Sequence, residues 1–162
     1  MSFKVLLDKL AVALATGAGS GFSPKAPGTA GSLAALPLIW FAHLCEWTAV
    51  EMWCAIAVIT VVGLWSTDRV EKLWNTHDDQ RIVIDEAAGL FITLAWFPFS
   101  WFYVVVGFAL FRLFDIWKPG PIGYIDEKVP GAMGTFFDDV LAGFAALAVL
   151  WVIDAIRIGI MP

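Results

Sequence analysis

Five carboxylates of this chain stand where polar loops run into apolar stretches: Asp85 and Glu86, Asp115, and the adjacent pair Asp138 and Asp139. Hard oxygen donors of this kind suit Mg²⁺ or Mn²⁺. One or two Mg²⁺ held by all five would polarise a phosphoryl group and activate a water to attack it. Asp85, Glu86, Asp115 and Asp139 are the expected catalytic groups within that set. Zinc fits less well, because the chain has two histidines and one of them, His43, lies inside an apolar stretch. Cations accompany the acids: Arg112, Lys118 and Lys25 would hold phosphate oxygens, with Arg suited to bidentate contact. Plainer readings stay open. Asp85 and Glu86 could serve only as a helix N-terminal cap. Arg112 and Asp115, three residues apart, could be a simple ion pair on one helix face.

A glycine-rich loop, Thr16 to Ser32, leads directly into an apolar helix. Glycines let a backbone approach an anion closely, and a helix N-terminus offers free N–H groups. Ser23, Thr29 and Ser32 add hydroxyls and Lys25 a charge, so the loop reads as a phosphate cradle, with Ser23, Lys25, Thr29, Ser32, Arg112 and Lys118 as the substrate-binding set. It is not a Walker loop, since no Gly-Lys-Ser/Thr triplet occurs. A flexible loop ending in a Ser/Thr cap is the alternative.

Absences narrow the chemistry. Neither Cys45 nor Cys54 has an Arg six residues later, no Asp-x-Asp occurs, and the His-based sets of other lipid phosphatases are missing. With no obvious covalent nucleophile, direct attack by a metal-activated water is the expected course. Both thiols sit among apolar residues and read as free and buried.

The elements that position these groups follow from composition. Of 162 residues 60% are hydrophobic and 15% charged, whereas a water-soluble domain is about a quarter charged. The class is therefore an all-α, polytopic membrane protein, one domain over residues 1–162. Residues 1–30 hold an amphipathic surface helix and the glycine-rich loop; 31–162 form a bundle of about four to five short, partly broken transmembrane helices with two polar catalytic loops. Apolar segments fall at about 31–45, 49–66, 86–97, 100–114 and 139–157, several too short for the roughly 20 residues of a simple span. Pro37 and Pro98 interrupt two of them. The stretch 87–111 is either one span or a hairpin turning near Pro98. A hairpin puts nine of the ten Lys and Arg residues on one face and only Arg157 opposite, which the positive-inside rule favours and labels cytoplasmic. The net charge of −5 gives no reason to expect a nucleic-acid partner.

The same residues resemble the phosphatidylglycerophosphatase A family. The matching stretches are GAGSGFSPKAPGTAGSLAALPL (17–38), HDDQRIVIDEAAG (77–89), FRLFDIWKPGPI (111–122) and GAMGTFFDDVLAG (131–143), in the family's order and spacing. The resemblance implies a Mg²⁺-dependent enzyme of the bacterial inner membrane, active at its cytoplasmic face. It would remove the terminal phosphate of phosphatidylglycerophosphate to make phosphatidylglycerol. It marks Asp85, Glu86, Arg112, Asp115, Lys118, Asp138 and Asp139, with Ser23, Pro24, Pro27, Gly28, Thr29, Gly31 and Ser32. The chain departs mildly at Pro130–Met133 and at Phe136-Phe137. Two other readings compete: a phosphatase for another lipid phosphate such as phosphatidic acid, and a cation transporter, for which Asp154 is the main deep acid. Oligomeric state is not legible in the sequence.

Overall fold

The structure is a computed structural model describing residues 2–160, the side chain of Ile160 excepted; the outermost limits of the expected domain, 1 and 161–162, lie outside the described residues. Among the described residues seven α-helices follow one another: α1 (Phe3–Ala15), α2 (Pro27–Leu44), α3 (Ala49–Trp74), α4 (Ile84–Leu94), α5 (Trp101–Trp117), α6 (Pro121–Lys128) and α7 (Ala132–Ile160). A 3₁₀ turn covers Ser20–Phe22, and no strand occurs among the described residues. The fold is all-α, and each expected apolar segment is a helix.

Local chemistry sets the boundaries. Pro27 takes the first position of α2, where its missing N–H costs nothing. Thr48 and Glu51 cap α3 reciprocally: the Glu51 N–H donates to Thr48 Oγ1 and the Thr48 N–H to Glu51 Oε2. Asn75 ends α3 in the left-handed region at φ 50°. Three boundaries differ from expectation. Helix α3 runs on to Trp74, because no breaker precedes Asn75. Helix α2 continues through Pro37 rather than ending there. Helix α7 starts at Ala132, so Asp138 and Asp139 lie in its second turn instead of at its mouth, and α6 forms inside the expected 115–138 loop.

Helix α4 is the centre. Leu90, Phe91 and Ile92 are almost wholly buried, and α4 packs on α2, α3, α5 and α7. Its 11 residues rise about 16 Å, roughly half a bilayer core. Helices α4 and α5 form the hairpin: Gly89 lies against Phe111 and Gly107 against Leu94, an antiparallel pairing that closes around Pro98. Helices α3 and α7 are long and apolar enough to cross a membrane. The outer faces expose large apolar side chains, among them Trp40, Val58, Val61, Trp101, Val105 and Trp151. Such a surface associates with lipid, since a soluble bundle would aggregate through it. Cys45 and Cys54 are free as expected but exposed on this outer face instead of buried. Helix α1 lies along α3, fastened by the Arg69–Asp8 ion pair at 2.6 Å, with Phe3, Leu6 and Leu10 exposed.

Candidate active site

The three polar stretches meet in one cleft of about 250 Å³ at the end of the bundle where α2, α4 and α7 begin and α5 ends. Glycine contacts bring the helix ends together. Gly28, in the first turn of α2, faces α4 and α5 so closely that a Cβ there would meet Glu86 Oε1 at 2.2 Å and Arg112 Nη1 at 3.1 Å. A Cβ on Gly31 would lie 2.4 Å from the Val83 side chain, and one on Gly21 would lie 2.1 Å from the Arg81 carbonyl oxygen. The Val83 N–H donates to the Ala15 carbonyl at 2.8 Å, tying the second loop to the end of α1. The glycine-rich stretch thus packs beneath the 78–83 loop, and only Ala26, Pro27 and Gly28 of it line the cleft.

Carboxylates converge. One oxygen each from Asp85, Glu86 and Asp139 lies within 4.8 Å of the other two. Asp85, Asp138 and Asp139 are buried, at 4%, 3% and 4% exposure. In each adjacent pair the first acid turns back on its own helix: Asp85 Oδ1 accepts the Glu86 N–H at 3.0 Å and Asp138 Oδ1 the Asp139 N–H at 2.9 Å. Asp115 Oδ2 sits 2.6 Å from Arg112 Nη1. Lys118, in the left-handed region at the end of α5, bridges Asp126 Oδ1 at 2.5 Å and Asp138 Oδ2 at 2.6 Å. Burial alone would lower the Lys118 pKa, but the hydrogen bonds to Asp126 and Asp138 outweigh it and hold the ammonium above its ordinary range.

Charge does not balance here. Among the described residues Asp85, Glu86, Asp115, Asp138 and Asp139 face only Arg112 and Lys118, and Glu86 Oε2, Asp139 Oδ1 and Arg112 Nε have no hydrogen-bond partner, while Arg112 Nη1 meets Asp115 at ion-pair distance without hydrogen-bond geometry. Each uncompensated buried ion costs several kcal/mol, about what a bound cation would offset. An all-oxygen donor set with orphaned carboxylate oxygens fits a hard metal ion.

The structure separates the expected residues into two groups. Asp85, Glu86, Arg112, Asp115, Lys118, Asp138 and Asp139 are gathered at the cleft. Lys25 is exposed outside it, and Ser23 donates to the Lys25 carbonyl at 2.9 Å. Ser32 is fully buried and donates back to the Gly28 carbonyl at 2.8 Å; Thr29 does not line the cleft either. Sequence reasoning missed Thr135, although it sits three and four residues before Asp138 and Asp139 on the same helix face. It also missed Asp126, which reaches the site only through Lys118. Asp79 lines the cleft but is committed to Arg81 at 2.6 Å, whose hydrogen bond holds its pKa low despite partial burial. Asp154 lies at the other end of α7, accepting from Tyr103 Oη at 2.5 Å, and no acidic path is needed to explain it.

A family model described as phosphatidylglycerophosphatase A matches residues 13–154. The phosphatidylglycerophosphatase A of Escherichia coli is 38% identical over 142 residues, covering 86% of this chain and 81% of that protein. The protein of the same name from Haemophilus influenzae is 41% identical over 143 residues, 87% of this chain and 86% of its own. A Bacteroides thetaiotaomicron protein provisionally named a phosphatidylinositol-3-phosphatase is 44% identical over 156 residues, 89% of this chain and 96% of its own. No solved structure matches.

Proposed function

Because the chain belongs to the phosphatidylglycerophosphatase A family, we infer that it hydrolyses the terminal phosphate ester of phosphatidylglycerophosphate, giving phosphatidylglycerol and inorganic phosphate for phospholipid biosynthesis. The observation that carries this at the level of the site is the meeting of Asp85, Glu86 and Asp139 within 4.8 Å beside Arg112 in one cleft. Asp85, Glu86, Asp115, Asp138 and Asp139 would hold Mg²⁺. Bound there, Mg²⁺ supplies positive charge to the phosphoryl oxygens and makes water a better nucleophile.

The chain's own groups do the rest. Arg112, whose Nη1 is paired with Asp115, offers its unpartnered Nε to a phosphate oxygen, a contact that strengthens as charge builds there. Lys118 adds a second cation at the cleft wall, held in place by Asp126 and Asp138. Asp139 Oδ1 or Glu86 Oε2, both free of hydrogen bonds, would accept the proton of the attacking water, and the carboxyl would return it to the glycerol oxygen as the ester P–O bond breaks. Burial of the cluster keeps bulk water from screening these charges. Among the described residues no Cys, His or Ser lines the cleft, which supports direct transfer of the phosphoryl group to water.

Residues 1–162 would act as one catalytic domain of the bacterial inner membrane. Arg112 and Lys118 line the cleft, Lys25 and Arg81 are chain neighbours of its Ala26 and Gln80, and Lys72 and Lys128 stand in the last turns of α3 and α6, so by the positive-inside rule that end would be cytoplasmic. A second reading, hydrolysis of another lipid phosphate, draws on the Bacteroides relative. Phosphate release by purified protein in detergent separates them. Phosphatidylglycerophosphate, phosphatidylinositol 3-phosphate and phosphatidic acid would be compared with and without Mg²⁺. A preference for either of the last two overturns the first reading.

A further inference from the structure

Beside the acidic cleft lies an apolar groove of about 530 Å³, walled by Phe114 and Pro119 at the end of α5, Ile122 of α6, and Leu141, Phe144 and Ala145 of α7. We propose that this groove seats an acyl chain of the lipid phosphate, so that α7 reads headgroup and chain as one unit. The proposal rests on the lipid-phosphatase reading of the cleft.

Continuity with the cleft carries it. Phe114 directly precedes Asp115, and Pro119 directly follows Lys118, so these two wall residues of the groove are chain neighbours of cleft residues. On α7, Thr135 and Asp138 line the cleft while Leu141 and Ala145 line the groove. Steps of three, three and four keep these residues on one helix face, and Ala145 stands about 10 Å along the axis from Asp138. A phosphate at Arg112 is followed by the headgroup glycerol, the diester phosphate and the backbone glycerol, so the first acyl carbons would come past Leu141, at the level of Ala145. The groove has no charged side chain in its wall. Because a tail in the bilayer is already in hydrocarbon, the groove gains little from hydrophobic burial. Its effect is position: it lets the phosphate rise to the acids while the tail stays in apolar contact.

A second hollow serves as the control. It lies between α2 and α3, about 490 Å³ in volume, walled by Leu38, Trp47, Ala55, Val58 and Ile59. Leu38 is ten residues past Gly28, about 15 Å down α2 and away from the cleft.

The test is the full chain in detergent with Mg²⁺, given diacyl phosphatidylglycerophosphate or its deacylated, water-soluble counterpart. Ala145→Trp fills the groove and should lower kcat/KM for the diacyl lipid roughly tenfold to a hundredfold, the scale of an ångström's misplacement. Hydrolysis of the deacylated compound should not change, and Val58→Trp should leave both as they are. An equal fall on both substrates, or no fall on the diacyl lipid, overturns the proposal. If Ala145→Trp does not accumulate, Leu141→Ala and Phe144→Ala should give the same split between substrates. A phosphatidylglycerol carrying a diazirine on one chain gives a readout independent of turnover. Its label should fall on 114–122 and 141–145; label on 54–59 instead overturns the groove. Disulfide-linked dimers of Ala145→Cys in a background lacking Cys45 and Cys54 would make the groove a contact between chains and overturn it too. Should wild type hydrolyse neither substrate, the phosphatase reading fails, while the label still decides the groove.

Discussion

Gly89 of α4 and Gly143 of α7 touch backbone to backbone: a Cβ on Gly143 would stand 2.5 Å from the Gly89 carbonyl oxygen and 2.9 Å from its Cα. Asp85 and Asp139 each precede one of these glycines by four residues, a single helical turn. The two helices run in the same direction, so the glycine contact fixes how closely the two acids approach. Thr93 locks the next turn, donating to the Gly89 carbonyl at 2.9 Å and the Gly143 carbonyl at 3.2 Å. The distance between these two cleft carboxylates is thus set by residues that carry no charge.

Gly143→Ala should therefore reduce turnover about a hundredfold, because the helices must part by roughly an ångström to admit the methyl group. Gly159→Ala, on the same helix with open space around it, should leave activity unchanged. Phosphate release and membrane level would be measured together. Full activity of a well-accumulated Gly143→Ala would show that the acids are not spaced there.

Removal of divalent cations should abolish phosphate release, and Mg²⁺ should restore it better than Zn²⁺. The acids offer only hard oxygen donors, and no Cys or His joins them among the described residues. Turnover that survives exhaustive chelation sinks the metal-dependent reading.

Lys25→Cys, Gln80→Cys and Glu127→Cys, made singly in a background lacking Cys45 and Cys54, should label from the same membrane side. Each lies in one of the three polar stretches, and the antiparallel α4–α5 pair returns the chain to the side it left. Labelling of Glu127→Cys from the opposite side contradicts the hairpin.

The hairpin and the acid constellation were both legible, for physical reasons visible in particular residues. Basic residues on both flanks of 87–111 favoured a return to the same face, and Pro98 offered the turn. Asp85, Asp115 and Asp139 were marked by their position at the edges of apolar runs. The first loop is legible only in part. Its glycines suggest room for a phosphate, and Gly28 does face the cleft, whereas Gly21 and Gly31 make room for the backbone of Arg81 and the side chain of Val83. Composition cannot distinguish a glycine that admits a ligand from one that admits a neighbouring strand of chain. The onset of α7 was hidden too, because Thr135, Phe136 and Phe137 carry no start signal and the helix there is held by packing: Phe136 is fully buried against Gly63 of α3.

Asparagine replacements separate the roles of the acids. Asp85→Asn, Asp115→Asn and Asp139→Asn keep side-chain size and remove the charge that a cation requires. Each should remain in the membrane near its normal level and lose several orders of magnitude in turnover, about 10³-fold or more for a group acting in the transition state. Asp138 is bound to Lys118 and turns from the Asp85–Glu86–Asp139 centre, as adjacent helix positions about 100° apart require. Asp138→Asn should cost less, and the cost should shrink when Lys118 is already changed to Met, because the two act through one contact. Asp8→Asn weakens only the partly buried link of α1 to α3, far from the cleft acids in sequence, and should leave kcat intact. Asp154→Asn disturbs the Tyr103 contact at the far end of α7 and should also leave kcat intact, whereas an ion path through the bundle would make it as damaging as Asp139→Asn. Near-wild-type hydrolysis by Asp85→Asn or Asp115→Asn at saturating Mg²⁺ rules out the cation-holding role assigned to them. Loss of the variants from the membrane gives those acids a structural part instead, since the uncharged cleft would then be the less stable one.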